Sequence, residues 1–161
     1  MEPLITKINH IGIVTKDVRA MMKRYEEVYG VTGWTFLDGE KGFDPSQKAR
    51  NLTVRGVRQD YEISLAQTMI GDVRIELIQP LDDNSDFARF LKEKGEGVHH
   101  IGIDADQARM PDAMERSGVP ELLSGTIPEE THFVYYDTLP QIGMTVEVCY
   151  PPEPVTEQDG V

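Results

Sequence analysis

Two histidines and two glutamates occupy matching places in two stretches of the chain. His10 lies in the string INHIGI (8–13) and His100 in VHHIGI (98–103), whereas Glu76 lies in IELIQP (75–80) and Glu147 in VEVCYP (146–151). Imidazole nitrogens and carboxylate oxygens suit Zn, Co, Ni, Mn and Fe, and less specifically Mg. The pattern therefore predicts one divalent metal ion held by these four side chains, and the sequence does not choose among the metals.

Each glutamate alternates with apolar neighbours, which is typical of a β-strand with two different faces. An ionised carboxylate inside a strand costs free energy unless it is solvated, paired or bound to a cation. A single such residue would be ordinary on a half-exposed sheet. Four matched positions in a repeat favour a shared site, because two sheets that curl around one centre would bring all four side chains together.

The elements that must position these residues also repeat, as two βαβββ modules. Module one, 5–80, combines a first strand at 8–14 with a helix at 18–29, whose apolar positions recur every three or four residues and which ends at Gly30. Strands are predicted at 33–37, 61–67 and 72–78. The segment 38–59 is longer than a hairpin connection, and a lid, a partner contact and a flexible insert all remain open for it.

The second half follows a linker, 81–96, whose helix at 86–94 is predicted to begin at a cap on Asn84 or Ser85. Module two, 97–151, has a first strand aligned with 8–13, a helix at 106–117 and strands at 121–124, 132–137 and 144–150. The tail, 152–161, is expected to be disordered. The predicted fold is α+β, with one domain over 1–161 in which two βαβββ modules form a curled mixed sheet around the metal.

Composition limits the partners and the compartment. The net charge is −12, with 28 acidic against 16 basic residues, so nucleic acid and anionic membranes are disfavoured. We find no signal peptide and no long apolar run, and we expect a cytoplasmic protein. The single cysteine, Cys149, excludes an internal disulfide and is predicted to be a buried structural thiol.

The strings NHIGIV, RIELIQPL, GVHHIGI and TVEVCYP resemble the metal-binding strands of the vicinal oxygen chelate superfamily, which contains glyoxalases, bleomycin resistance proteins and dioxygenases. The closest pattern is that of methylmalonyl-CoA epimerase-like members. The resemblance selects His100 as the ligand of the doublet and expects His99 to face the other way. It implies an isomerase or epimerase that removes a proton next to a carbonyl through a metal-stabilised enolate, acting on a small carbonyl compound as a homodimer.

The resemblance also suggests further site residues. Glu62 falls on the strand where the epimerases carry a catalytic glutamate, and Glu147 is a second candidate for the base. Independently of the resemblance, Gln67 is a candidate substrate contact, with a polar strand-edge residue as the alternative, and Tyr135 is another, with packing in the core as the alternative. Residues 133–141 lack the epimerases' His-Pro and glycine-rich stretch, so a coenzyme A thioester substrate is not implied.

Three other functions remain open at this stage. A glyoxalase-type lyase could use the same metal site. An Fe(II) ring-cleaving dioxygenase needs two histidines and one carboxylate, which would leave Glu76 as a surplus fourth ligand. A non-catalytic small-molecule binder is the third, although superfamily members of that kind typically lack the metal ligands.

Overall fold

The computed structural model describes residues 2–40, 49–127 and 130–151. The strands in these ranges are β1 (Ile5–Val14), β2 (Thr35–Glu40), β3 (Arg50–Val54), β4 (Val57–Arg58), β5 (Ile63–Ile70), β6 (Val73–Pro80), β7 (Gly97–Ala105), β8 (Glu121–Ile127), β9 (Thr131–Tyr136) and β10 (Thr145–Tyr150). The helices are α1 (Val18–Tyr29), α2 (Asp86–Lys94), α3 (Met110–Arg116) and α4 (Leu139–Ile142). All the described strands join one curled, unclosed mixed sheet in the order β2-β5-β6-β1-β7-β10-β9-β8-β3-β4.

The sheet contains the predicted repeat. In module one β1 pairs in parallel with β6, and in module two β7 pairs in parallel with β10. The remaining strands of each module continue outward in the same order, β5-β2 and β9-β8. The two modules join through antiparallel pairing of β1 with β7, so the first strands of both copies lie side by side at the centre. The predicted α+β fold with two βαβββ modules is confirmed.

Helix α1 has the bounds that the sequence predicts. Asp17 caps its start, accepting a hydrogen bond from the backbone N–H of Ala20 at 2.9 Å, and Gly30 ends it with φ of 66° in the left-handed region. The apolar face of α1 packs on the outer side of module one, where Ile75 and Leu77 are buried. Because neighbours in a strand point to opposite faces, this packing directs residue 76 to the concave side.

Helix α3 is shorter than the predicted 106–117. Asp106 accepts hydrogen bonds from the backbone N–H and the Nε of Arg109, which form a turn before the helix begins. The Pro at residue 111, which lacks a backbone donor, fits the first turn of a helix and fixes the start there. Met110 packs with Val146 and Val148 on the outer side of module two, so residue 147 also projects to the concave side.

Helix α2 covers one end of the sheet. The Oγ of Ser85 accepts from the N–H of Ala88 at 3.2 Å, which confirms one of the two predicted caps. Phe87 is 1% exposed and packs edge-on against the rings of Tyr61 and Tyr135 inside the curl of the sheet. This apolar cluster fills the concave side next to the site described below.

The segment 38–59 contains more regular structure than the sequence predicted. Its residues 41–48 lie outside the described ranges, but β2 extends to residue 40, and β3 and β4 form a hairpin whose turn residues Arg55 and Gly56 have φ of 51° and 78°. The hairpin pairs with β8 of module two, and Leu52 in it is fully buried. Its few apolar residues stand among charged ones, so no strand period was visible.

Candidate metal centre

The four predicted ligands lie together on the concave side of the sheet. His10 is 2% exposed, His100 0%, and Glu76 and Glu147 7% each. One possible ligand atom from each residue can be chosen so that all lie within 4.8 Å of one another. The site lies where the two modules meet, since two ligands come from β1 and β6 and two from β7 and β10.

The shortest contacts in the cluster centre on one carboxylate oxygen. The Oε2 of Glu147 lies 2.8 Å from the Nε2 of His10 and 3.1 Å from the Nε2 of His100. The two Nε2 atoms are 3.3 Å apart, and the Oε2 of Glu76 lies 3.8 Å from the Nε2 of His10. The Nε2 atoms and carboxylate oxygens therefore converge on one point.

Two glycines make room for the histidines. His10 is paired in register with Gly102, and His100 with Gly12, across the junction of β1 and β7. A Cβ added at either glycine would collide with the imidazole ring of the histidine opposite. The repeated string H-I-G-I is thus a packing unit of the two strands as well as a ligand motif.

Burial and mutual contact shift the pKa values of all four groups. Burial alone would raise the pKa of Glu147, but its close contacts with the imidazoles of His10 and His100 outweigh burial and hold this pKa far below its usual range. Burial raises the pKa of Glu76. Burial would lower the pKa of His10, yet contact with Glu147 and the charge of Glu76 raise it, whereas burial lowers the pKa of His100 to about 4.

Arg74 belongs to the site although the ligand motif did not include it. Its Nε donates to the Oε1 of Glu76 at 2.9 Å, and its Nη2 lies 3.0 Å from the Nδ1 of His10. Arg74 stands two residues before Glu76 on β6, so strand alternation places both on one face. That spacing is a signal that could have identified it from the sequence.

His99 is not part of the cluster, but it does not point to the opposite face of the sheet as expected, because its imidazole and that of His100 both contact the ring of Phe87. His99 is 6% exposed, and its Nδ1 lies 3.0 Å from the Nδ1 of His100. The rings of Phe87 and Phe90 from α2 pack against its imidazole and hold it there. His99 therefore supports a ligand from behind, and His100 is the member of the doublet that joins the cluster.

Gln67 and Tyr135 also lie on the concave side, each in register with a glutamate of the cluster. Gln67 on β5 faces Glu76 and is half-buried, and Tyr135 on β9 faces Glu147. The ring of Tyr135 meets that of His100 edge-on at 4.8 Å and is 6% exposed. Packing in the core therefore accounts for Tyr135, while Gln67 retains open surface.

Glu62 is not brought to the cluster. It lies just before β5 and is exposed, and its backbone N–H and C=O bind the side chain of Asp82 and the N–H of Leu81. Ile63, not Glu62, points into the apolar core, and Gln67 is the residue of this strand in register with Glu76. Five residues of extended chain from 62 to 67 correspond to about 16 Å.

Cys149 is exposed, so the predicted burial of its thiol is wrong. It follows Glu147 by two residues on the same face of β10, and its Sγ lies 3.7 Å from the Oε1 of Glu147. The expectation assumed that the end of the strand was covered, but β10 ends shortly beyond, at Tyr150.

The donor set fits a divalent cation. Two carboxylates are buried side by side, and Arg74 is the only Lys or Arg side chain that pairs with either of them among the described residues. Burying such charges without compensation is unfavourable, and a divalent ion would compensate both. Two imidazoles and two carboxylates leave two positions of an octahedral ion for other ligands.

Sequence comparison with known proteins identifies related chains. Over 99 residues the chain is 30% identical to the uncharacterized protein YqjC of Bacillus subtilis (strain 168), covering 62% of this chain and 57% of that one. Over 103 residues it is 25% identical to the mitochondrial methylmalonyl-CoA epimerase of Dictyostelium discoideum, covering 63% and 51%. The matched segments thus span little more than half the length of these relatives.

Solved structures share the fold. Methylmalonyl-CoA epimerase from Mycobacterium tuberculosis has a TM-score of 0.59 at 18% identity, over 98% of this chain and 94% of that one. A Streptomyces coelicolor methylmalonyl-CoA epimerase variant in complex with 2-nitronate-propionyl-CoA has a TM-score of 0.60 at 20% identity, over 91% and 98%.

Two further findings concern membrane-spanning helices and the protein family. Within the described residues, no helix combines the length and the apolar character that crossing a membrane requires. Residues 9–136 match the family model of the Glyoxalase/Bleomycin resistance protein/Dioxygenase superfamily. With its fold and buried His/Glu cluster, the chain therefore belongs to this superfamily, also known as the vicinal oxygen chelate superfamily.

Proposed function

We propose that this protein is a divalent-metal-dependent isomerase or epimerase that removes a proton from the carbon next to a substrate carbonyl. The observation that carries the proposal is the convergence of His10, Glu76, His100 and Glu147 in one buried cluster. The epimerases among its structural neighbours support the same class of reaction.

The metal would be held by the Nε2 atoms of both histidines and one oxygen of each glutamate. Co, Zn, Ni, Mn, Fe and Mg all accept such donors to different degrees. When bound, the ion would act as a Lewis acid on a carbonyl oxygen and stabilise the negative charge that develops there as the neighbouring C–H bond breaks.

Glu147 is our candidate for the proton acceptor. Its Oε2 is held between the two histidines, whereas its Oε1 has the thiol of Cys149 at 3.7 Å as its contact. The carboxylate is anchored through one oxygen and can use the other to take a proton from substrate carbon and return it. Glu62, exposed and outside the cluster, is not part of this proposal.

Gln67 is our candidate for a substrate contact. Its amide lies opposite Glu76 on the concave face and can both donate and accept hydrogen bonds. Tyr135 would contribute mainly as a rigid wall against His100. Arg74, with 38% of its side chain exposed, would add a positive charge beside a carbonyl oxygen or a carboxylate.

Among the other functions, a glyoxalase-type lyase would use the same four ligands, and only the substrate separates it from an epimerase. A ring-cleaving iron oxygenase is less favoured, because Glu76 is buried and held by Arg74 within the ligand cluster. A non-catalytic binder gives no reason for burying two carboxylates against two imidazoles.

Membership of the superfamily also supports a homodimer that acts on a small carbonyl compound, and the single cysteine suits a cytoplasmic location. Light scattering after size-exclusion chromatography tests the assembly. A mass near 18.2 kDa, that of one chain, would contradict the dimer.

Elemental mass spectrometry of protein purified without chelators tests the metal. We expect about one divalent ion per chain, and its loss from His10→Ala and Glu147→Ala. His132→Ala is the matched control, since His132 lies outside the cluster and contacts Thr126. A wild type without metal after reconstitution would reject the catalytic proposal in favour of a cavity-binding protein.

A further inference from the structure

Behind His100, on the side away from the cluster, three side chains from three elements form a chain of contacts. The Nδ1 of His100 lies 3.0 Å from the Nδ1 of His99, and the Nε2 of His99 lies 3.4 Å from the Oδ2 of Asp86. The guanidinium of Arg55 donates to the Oδ1 of Asp86 from Nε at 3.1 Å and from Nη2 at 2.7 Å. His99 and Asp86 are 6% and 7% exposed.

The chemistry of Asp86 and His99 restricts where their hydrogens lie, whereas the single hydrogen of a neutral His100 has two possible acceptors, the Nδ1 of His99 and the Oε2 of Glu147. An ionised carboxylate can only accept, so the Nε2 of His99 must carry a hydrogen that points to Asp86. A neutral imidazole has one N–H, and the Nδ1 of His99 is then an acceptor. It can accept the hydrogen of His100 at 3.0 Å, in competition with the Oε2 of Glu147, which is already 2.8 Å from the Nε2 of His10. Hydrogen on the Nδ1 of His100 leaves its Nε2 with a lone pair facing the cluster.

Asp86 is well suited to this role. Burial would raise its pKa, but hydrogen bonds from His99 and Arg55 outweigh burial and keep that pKa below its usual value. Because Arg55 binds one carboxylate oxygen, the other remains available to His99. The opposite tautomer of His99 would turn a lone pair toward the carboxylate and is disfavoured by the repulsion.

At the equivalent position in module one, an asparagine takes the place of His99. Asn9 precedes His10 as His99 precedes His100, and its Oδ1 lies 2.6 Å from the Nδ1 of His10. Its Nδ2 donates to Asp104 at 2.8 Å, which identifies the oxygen as the atom facing His10. Arg74 also approaches this Nδ1, at the longer distance of 3.0 Å. In both modules, the residue before the ligating histidine offers an acceptor to its Nδ1. An aspartate, Asp104 in one case and Asp86 in the other, contacts that residue.

We propose that Asp86 and His99 are positioning residues that hold His100 in the tautomer whose Nε2 lone pair can bind a metal. The role rests on the metal site proposed above, but the tautomer is a property of the protein without metal. Mutation of a group that hydrogen-bonds to a ligating histidine from behind typically lowers metal affinity by about 10- to 100-fold. Asp86 would act through His99 and touch neither metal nor substrate.

The decisive variant is Asp86→Asn. Its amide can donate to the Nε2 of His99, which moves the hydrogen of His99 to Nδ1 and that of His100 to Nε2, where it blocks the metal. Asp137→Asn is the matched control, because Asp137 lines the same cavity of about 490 Å³ beside α2 without contacting His99. Thermal unfolding confirms that both variants fold.

Nitrogen-15 NMR of the metal-free protein measures the tautomer directly. The chain has only 4 histidines, so single substitutions assign every ring. We expect hydrogen on Nδ1 of His100 in the wild type and in Asp137→Asn, and on Nε2 in folded Asp86→Asn. Hydrogen on Nε2 in the wild type, or no change in Asp86→Asn, would overturn the proposal.

Metal affinity, measured by competition with a chelating dye and Zn²⁺ or Co²⁺, gives the second readout. We expect Asp86→Asn to bind about 10- to 100-fold more weakly and Asp137→Asn to bind normally. His99→Asn, which copies module one, should bind within a few-fold of wild type, while His99→Phe should lose affinity. Equal affinity in wild type and Asp86→Asn would overturn the proposal. A wild type with the expected tautomer that binds no metal would instead reject the proposed function.

Discussion

His10 and Gly102 face each other across the junction of β1 and β7, and the imidazole occupies the space in which a side chain at residue 102 would stand. His100 and Gly12 repeat this relationship in the opposite direction. The imidazole of each histidine ligand therefore packs over a glycine of the other module. The requirement is steric, since neither glycine has a φ in the left-handed region.

Gly102→Ala should abolish or strongly weaken metal binding. The new methyl group would displace the ring of His10, and overpacking of this kind costs about 1–3 kcal/mol of unfolding free energy. Gly97→Ala is the control, because it lies on the same strand and nothing stands within 4 Å of an added Cβ. Metal content and chemical denaturation report the two effects. Full metal content in a folded Gly102→Ala protein would contradict this role of the glycine.

Glu147→Gln should stop proton exchange, whereas Glu62→Gln should not. The resemblance suggested Glu62 as the base, with Glu147 as a second candidate, and so predicts loss of exchange in Glu62→Gln. The side chain of Glu62 is, however, exposed and outside the cluster. Deuterium uptake from D2O at the carbon next to the carbonyl, with methylmalonyl-CoA as the first probe, measures the step. Loss of exchange in Glu62→Gln with normal metal content would restore Glu62 as the base.

Removing the metal should destabilise the protein. Two buried carboxylates would lose their compensating charge, and a ligand present at 100 times its Kd contributes about 2.7 kcal/mol. We expect the Tm to fall after chelation and to recover when the ion is restored. The His10→Ala protein should show no such dependence, and the same shift in both proteins would indicate a metal bound elsewhere.

Glu76→Ala should weaken metal binding about as much as Glu147→Ala, because each removes one of four donors and leaves its partners buried. A ring-cleaving iron site needs only one carboxylate and predicts a small effect for Glu76→Ala. Affinity measurements on the two variants side by side decide between these ligand sets. The metal affinity of Glu76→Gln should lie between those of the wild type and Glu76→Ala, since glutamine keeps an oxygen donor and loses the charge.

Local patterns explain why much of the fold could be predicted. Helix α1 has a full apolar stripe with a cap at each end, and its bounds were predicted correctly. The ligand strands appear twice, so the repeat itself indicated which residues meet. The exposure of Cys149 and the shorter α3 depend on where neighbouring elements end, which local patterns do not define.

The support behind the site could not be predicted in the same way. In the sequence, Asp86 is an ordinary acidic residue in the first turn of a helix. His99 is the member of the doublet that the resemblance did not select as a ligand. Their contact depends on how α2 packs over β7. Arg55 comes from a hairpin turn about 30 residues away from Asp86, with no periodic signal around it.

The β3–β4 hairpin connects the two modules. It lies within the chain segment of module one, yet it adds two strands to the edge of module two and brings Arg55 to the acid behind His100. Module two therefore gains two edge strands and one supporting side chain that its own chain segment does not supply. Each module therefore depends on the other for part of its structure, and we expect a chain cut after residue 96 to yield no half that folds with its ligands in place.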